Sequence, residues 1–76
     1  MAELLAYLAR ELVDDPEAVR VDAEERDGAL VLRLHVAPDD VGKVIGRQGR
    51  IARALRTLVR AGSAHEGRRI VLEIVD

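Results

Sequence analysis

Seventy-six residues, 49% of them hydrophobic, fix one small domain near the lower limit for a chain that folds unaided, and with one Tyr, no Phe and no Trp its core must be aliphatic. The absence of Cys excludes disulfide frameworks and thiolate metal sites, the Met1-Ala2-Glu3 start does not read as a signal peptide, and no apolar run approaches the ~18 residues of a membrane span, so a cytoplasmic protein is expected. The net charge of -2 conceals a segregation that keeps a polyanionic partner open: residues 1 to 40 carry 4 basic and 11 acidic side chains, residues 41 to 76 carry 8 and 3.

Leu4, Leu5, Leu8 and Leu12 recur at helical spacing, predicting an amphipathic helix from Ala2 to Val13 that Pro16, after Asp14-Asp15, brings to an end. Tyr7 lies beside that stripe and is expected to pack there with its hydroxyl at the surface. Val19, Val21 and Ala23 alternate with Arg20, Asp22 and Glu24 as a half-buried strand. Arg26-Asp27-Gly28 supplies a tight turn, and Leu30, Leu32, Leu34 and Val36 alternate with Val31, Arg33 and His35, so the two strands form an antiparallel hairpin. Ala37-Pro38-Asp39-Asp40 then opens a helix of about two turns, with proline in its first turn and aspartates at the positive end of its dipole.

Between Val41 and Arg60 the chain holds six basic residues and no acidic one. Gly46 and Gly49 interrupt this stretch after the apolar pair Val44-Ile45, which reads as a short exposed loop between helices, tipped by Arg47 and Gln48. Glycine lets the main chain approach another backbone closely, and the following helix N-terminus offers free N–H groups to an anion. Lys43, Arg47 and Arg50 add charge, while Val44 and Ile45 offer an apolar floor for a base. From Arg50 to about Ala61 a second helix divides cleanly: Arg50, Arg53, Arg56 and Arg60 fall within an arc of about 120°, opposite Ile51, Leu55 and Val59. The arginine face is open to three readings: a solvated surface, a polyanion contact or a protein contact. Gly62 to Gly67 reads as a flexible connection, and Ile70, Leu72 and Ile74 alternate into a last strand.

Val44-Ile45-Gly46-Arg47-Gln48-Gly49, followed by Ile51, Leu55 and Val59, resembles the Gly-x-x-Gly signature of the KH domain, whose loop clamps about four nucleotides of single-stranded RNA. The whole chain resembles the small bacterial single-KH proteins of the KhpA type. The resemblance implies an α+β fold of KH type II across residues 1–76, ordered αββααβ, with a three-stranded sheet covered by helices on one face and a minimal KH unit over about 30–76. A right-handed crossover sets the last strand parallel to the second. It also implies an RNA-binding set of Lys43, Val44, Ile45, Gly46, Arg47, Gln48, Gly49, Arg50 and Arg53, with Val31 of the second strand as a further groove wall.

No enzyme constellation assembles, and no cofactor is expected. Ser63 lies in no nucleophile elbow, and His35 and His65 have neither cysteine nor each other at metal-ligand spacing. Gly46-x-x-Gly49 lacks the frame of a nucleotide-triphosphate loop or a dinucleotide fold. The sheet offers no aromatic of the kind an RRM or cold-shock domain stacks on bases. Two expectations remain. One is single-stranded RNA binding, as a chaperone or post-transcriptional regulator, with single-stranded DNA still open as the ligand. The other is a docking module that forms a homodimer or pairs with a larger multidomain KH-containing RNA-binding protein, as the resemblance implies.

Overall fold

A computed structural model describes residues 1–75; Asp76, the last residue of the expected domain, lies outside the described residues. The elements run α1 (Ala2–Leu12), β1 (Arg20–Arg26), β2 (Ala29–His35), α2 (Val41–Ile45), α3 (Arg50–Glu66) and β3 (Ile70–Val75). The order αββααβ is the expected one, and the class is α+β.

Strand order in the sheet is β1-β2-β3. β1 and β2 pair antiparallel from Arg20 opposite His35 to Arg26 opposite Ala29, and β3 runs parallel to β2 from Ile70 beside Leu30. The hairpin turn is the two-residue pair Asp27-Gly28, both at positive φ (54° and 80°), the geometry that matches the twist of the flanking strands. A parallel neighbour requires a crossover, and α2 with α3 provides it.

The core lies between the sheet and the helices. Leu5, Leu32, Leu34, Val44 and Val59 are fully buried, each contributing about 1.5–3 kcal/mol of transfer free energy. In α1 the buried stripe is centred on Leu5, Ala6 and Ala9, while Leu4 is 45% exposed and Tyr7 57%. The expected stripe is thus rotated by about one residue, and Tyr7 is a surface side chain. β1 is an edge strand: Val19 just before it is buried and Val21 half-buried, but Ala23 is exposed, because α1 covers only the first part of the strand.

α3 is 17 residues long and continues through the segment expected to be a flexible connection. Gly62 does not end it, because the Met1 side chain packs where a Cβ would stand, so the glycine serves close packing within the helix. The stop comes at Gly67, whose left-handed φ of 71° turns its N–H onto the Ser63 carbonyl at 3.0 Å. Ser63 Oγ then accepts the N–H of Ile70 at 3.2 Å and fastens β3 to the helix end.

Candidate nucleic-acid interface

A helix of five residues cannot hold itself together by its own hydrogen bonds, so α2 owes its position to tertiary contacts. Val44 supplies one of them at 0% exposure. The expectation that Val44 floors a bound base is therefore corrected: its side chain belongs to the core, and of the pair only the half-buried Ile45 faces outward at all.

After Ile45 the chain reverses in three residues. Gly46 has φ 78° and ψ 171°, a region open essentially to glycine alone, and a Cβ there would lie 2.6 Å from Ile51 Cγ1. Ile51, two residues past the second glycine, thus packs directly against the first one, and Ala52 takes the buried place behind it. Gln48 (φ 58°) and Gly49 (φ 73°) are left-handed, and the Gly49 N–H closes the turn on the Gly46 carbonyl at 3.1 Å. Arg47 and Gln48 stand exposed at the tip. The backbone N–H groups of Arg47 and Gln48 make no hydrogen bond to the loops and caps around them, and they lie beside two polar side chains at the tip.

Arg47, Arg50, Arg53, Arg56 and Arg60 are all exposed, and among the described residues none has a carboxylate within ion-pair distance. Among the described residues, the one polar side-chain contact in this series is Arg50 donating to Gln48 Oε1 at 3.3 Å. Like charges at i and i+3 repel mildly on a helix. Here no acid intervenes to relieve that repulsion.

Lys43 differs from these arginines. Its ammonium lies 3.1 Å from Asp14 Oδ2 and 3.4 Å from Asp40 Oδ1, and these two carboxylates, Asp14 first, raise its pKa. Asp40 is buried, 2% exposed, and accepts the backbone N–H of Asp15 at 3.0 Å. Burial alone would push its carboxyl up, but the N–H groups of Asp15 and Asp14 together with Lys43 outweigh that cost and hold it below the usual carboxylate range. Of the nine residues expected at the site, Lys43 is the one whose charge is already balanced within the protein.

Beyond the loop, α3 and the outer edge of β3 enclose a groove of about 300 Å³ lined by Arg56, Val59, Arg60 and Ser63 on the helix and by Arg69 to Leu72 on the strand. Its floor is aliphatic and three arginines rim it. Arg69 belongs to this groove although the sequence pattern did not single it out. Only the parallel crossover brings residue 69 beside residues 56 and 60, and the one available signal was the basic Arg68-Arg69 pair before the last strand. Val31 is not part of the groove. It is buried but lies outside the core cluster, on the sheet face away from the helices, because Leu30, Leu32 and Leu34 take the inward positions of β2.

That helix-free face is closed by ion pairs. Arg33 bridges Glu24 and, at 2.9 Å, Glu73; Arg20 pairs with Asp22 at 3.2 Å and Arg26 with Glu24 at 3.3 Å. The Arg33 and Arg26 guanidinium groups lower the pKa of Glu24, and Glu24, ahead of Glu73, raises that of Arg33. His35 Nε2 lies 2.9 Å from Asp22 Oδ2, out of line for a hydrogen bond. Among the described residues no group of three or more His, Cys, Asp or Glu is placed to hold a metal ion, and no helix is long and apolar enough to cross a membrane.

A second groove, of about 370 Å³ and almost wholly apolar, separates α1 from α3 and is lined by Leu8, Leu12, Ile51, Ala54 and Leu55, with Glu11 and Arg50 at its rims.

The family model described as "KhpA/KhpB, KH domain" matches residues 2–74. Similar full-length proteins include the RNA-binding protein KhpA of Caldanaerobacter subterraneus, 48% identical over 99% of this chain and 100% of that protein. The RNA-binding protein KhpA of Treponema pallidum is 54% identical over 97% of this chain and 92% of that protein. That of Listeria monocytogenes is 46% identical over the whole of both. Among solved structures, Aquifex aeolicus Era bound to GDP.AlF4- superposes with a TM-score of 0.60 at 20% identity. Era in complex with MgGDPNP and nucleotides 1506-1542 of 16S ribosomal RNA superposes with a TM-score of 0.61, also at 20% identity. Both matches cover 96% of this chain and 28% of the Era chain, and they establish a shared fold.

Proposed function

Because the chain belongs to the KhpA/KhpB family of KH domains, we propose that it binds single-stranded RNA on the surface formed by the Gly46–Gly49 loop, α3 and the β3 edge. The relatives carry the name RNA-binding protein, and the geometry suits that activity. Phosphates lie on the loop tip, where the N–H groups of Arg47 and Gln48, their side chains and Arg50 receive them. Arg53 extends the cationic track along α3. Bases turn toward Ile45 and the groove between α3 and β3, where aliphatic walls and the strand's outward main-chain groups replace the aromatic platform the sheet lacks. Gly46 and Gly49 supply the reversal, and Lys43 and Val44 hold α2 in place beneath it.

The observation that carries this reading is that Arg47, Arg50, Arg53, Arg56 and Arg60, on one surface, have no ion-pair partner among the described residues, whereas four of the other six arginines, Arg20, Arg26, Arg33 and Arg68, are ion-paired. Unpaired guanidinium groups bring no internal partner's desolvation to a phosphate contact. The test is R47D together with Q48D: the variant should keep its fold by circular dichroism and lose affinity for short single-stranded RNA by at least about a hundredfold, some 2.7 kcal/mol. Unchanged affinity in the folded variant removes the loop from the mechanism. The same titration with a DNA oligomer of equal sequence reports whether a 2′-hydroxyl is read. A binder of this kind, lacking aromatic base platforms, suits the work of an RNA chaperone or post-transcriptional regulator in the cytoplasm.

The apolar groove between α1 and α3, together with the exposed Leu4 and Tyr7 one helical turn before Leu8 and Glu11, supports a second role in docking. Its partner is a second copy or a larger multidomain KH-containing RNA-binding protein. Leu8→Asp should abolish self-association in light scattering and leave RNA affinity per monomer intact; a variant that still self-associates would exclude this groove as the dimer surface.

A further inference from the structure

Asp40 is a buried charged side chain outside the hydrophobic core, with exposed partners, and neither phosphate nor base contact makes use of it. It is the N-cap residue of α2, yet its side chain makes no capping hydrogen bond to that helix. Its carboxylate instead reaches back 25 residues in sequence, where Oδ2 accepts the Asp15 N–H at 3.0 Å just beyond the end of α1. The other oxygen faces Lys43 Nζ at 3.4 Å, and Lys43 in turn reaches Asp14 Oδ2 at 3.1 Å. Three points of the chain, residues 14–15, 40 and 43, therefore meet on one buried carboxylate. A buried carboxylate is tolerated only when its donors are in place, so the arrangement is stable only with all three points held together.

We infer that Asp40 is a positioning residue for the RNA-binding loop, clipping the exit of α1 to the start of α2 so that Gly46–Gly49 is presented in one fixed orientation. The inference rests on the loop reading proposed above. α2 runs from this clip, which holds its first residues through Asp40 and Lys43, to Gly46, where the chain turns at positive φ into the loop. Val44 anchors α2 from the core side, and the Asp40–Lys43–Asp14 cluster anchors it from the outer side. With the outer anchor gone, α2 can tilt about Val44 and the loop is binding-competent for only a fraction of the time. Apparent affinity falls by the reciprocal of that fraction. The groups that meet RNA stay the same.

The test uses the full chain as wild type, D40A, D40N and the R47D/Q48D control, with short random-sequence single-stranded RNA as probe and amide hydrogen exchange measured without RNA. D40A should weaken RNA binding about tenfold if the loop is competent one-tenth of the time. The slope of affinity against salt should not change, because the same phosphates are met. The Gly46 and Gly49 amides should exchange faster while those of β2 keep their wild-type rates. D40N, which retains an acceptor for Asp15 but not the charge facing Lys43, should fall between wild type and D40A, and it decides the matter if D40A does not fold. Wild-type affinity and loop exchange in the folded Asp40 variants, alongside a control that has lost binding, overturns the clip and leaves the loop reading standing. Equal acceleration across β2 and the loop marks Asp40 as a general stabiliser and also overturns the clip. A control that binds like wild type defeats the loop reading, and the exchange data then judge the clip alone.

Discussion

Two surfaces of this molecule are rich in arginine and differ in what the arginines face. On the helix-free side of the sheet, Arg20, Arg26 and Arg33 each lie against a carboxylate of the same sheet, and Arg33 bridges Glu24 on β1 to Glu73 on β3. On the loop and α3, Arg47, Arg50, Arg53, Arg56 and Arg60 have no such partner among the described residues. The first surface spends its charge on holding strands in register. The second presents its charge to solvent at the cost of mutual repulsion, an arrangement that a polyanion relieves. A count of basic residues cannot separate the two, and a net charge of -2 points away from both.

The sharpest way to break the comparison is to give the free surface the pairing of the other. Replacing Arg53 and Arg56 by Glu should cost RNA affinity about a hundredfold or more, since two contacts are lost and two repulsions gained. The fold should be unaffected and self-repulsion along α3 relieved. A thermal melt with RNA titration checks both, and a folded variant that binds like wild type contradicts the assignment.

A milder change sharpens the picture. Arg56 and Arg60 changed to Ser should lower the salt dependence of binding by about 1.4 log units per log unit of salt if each meets one phosphate of a single strand. An unaltered slope assigns that end of α3 to protein rather than RNA. The counterpart on the sheet, Arg33→Leu, should leave both affinity and salt slope at wild-type values. Its effect belongs to strand register, read as faster amide exchange at Glu24 and Glu73.

The smallest effect expected is in pH. Asp40 and Glu24 have folded pKa values below their unfolded ones, so their contribution to stability is complete above the unfolded carboxylate pKa and is lost as pH falls through the folded values. Lys43 has a raised pKa, so its contribution is complete below its unfolded value and is lost as pH rises through the folded one. Thermal unfolding should show a plateau across neutral pH with a decline on each side. In D40N the acid decline should be shallower, and an identical acid limb in that variant removes Asp40 from the account.

Much of this architecture is legible in the sequence. Hydrophobic alternation gave the strands, the Asp27-Gly28 turn gave the hairpin, and the glycine pair gave the loop, because each is a local pattern of period, turn chemistry or backbone freedom. The local pattern misleads wherever a residue's role depends on a distant neighbour. Gly62 looks like a helix stop until Met1 is seen to occupy its missing side chain, and Gly67, a second glycine five residues on, is the one that terminates α3. Val31 and Leu32 are equally apolar, and the strand pattern does not show which apolar side chains line a groove; the fold puts Leu32 in the core and Val31 under an ion-pair layer. Val44 and Ile45 look alike as a pair, but a five-residue helix needs one anchor and takes Val44. The Asp40 clip and the place of Arg69 were invisible for the same reason, since each joins segments more than eight residues apart.

The central claim concerns which arginine surface meets the nucleic acid, and amide NMR shifts during titration with short single-stranded RNA test it most directly. The account predicts shifts at Gly46 to Arg53, at Arg56 and Arg60 and at Arg69 to Leu72, with Arg20 to Arg26, Arg33 and Glu73 unmoved. Shifts concentrated on β1 and the outward residues of β2, with the loop silent, would contradict it.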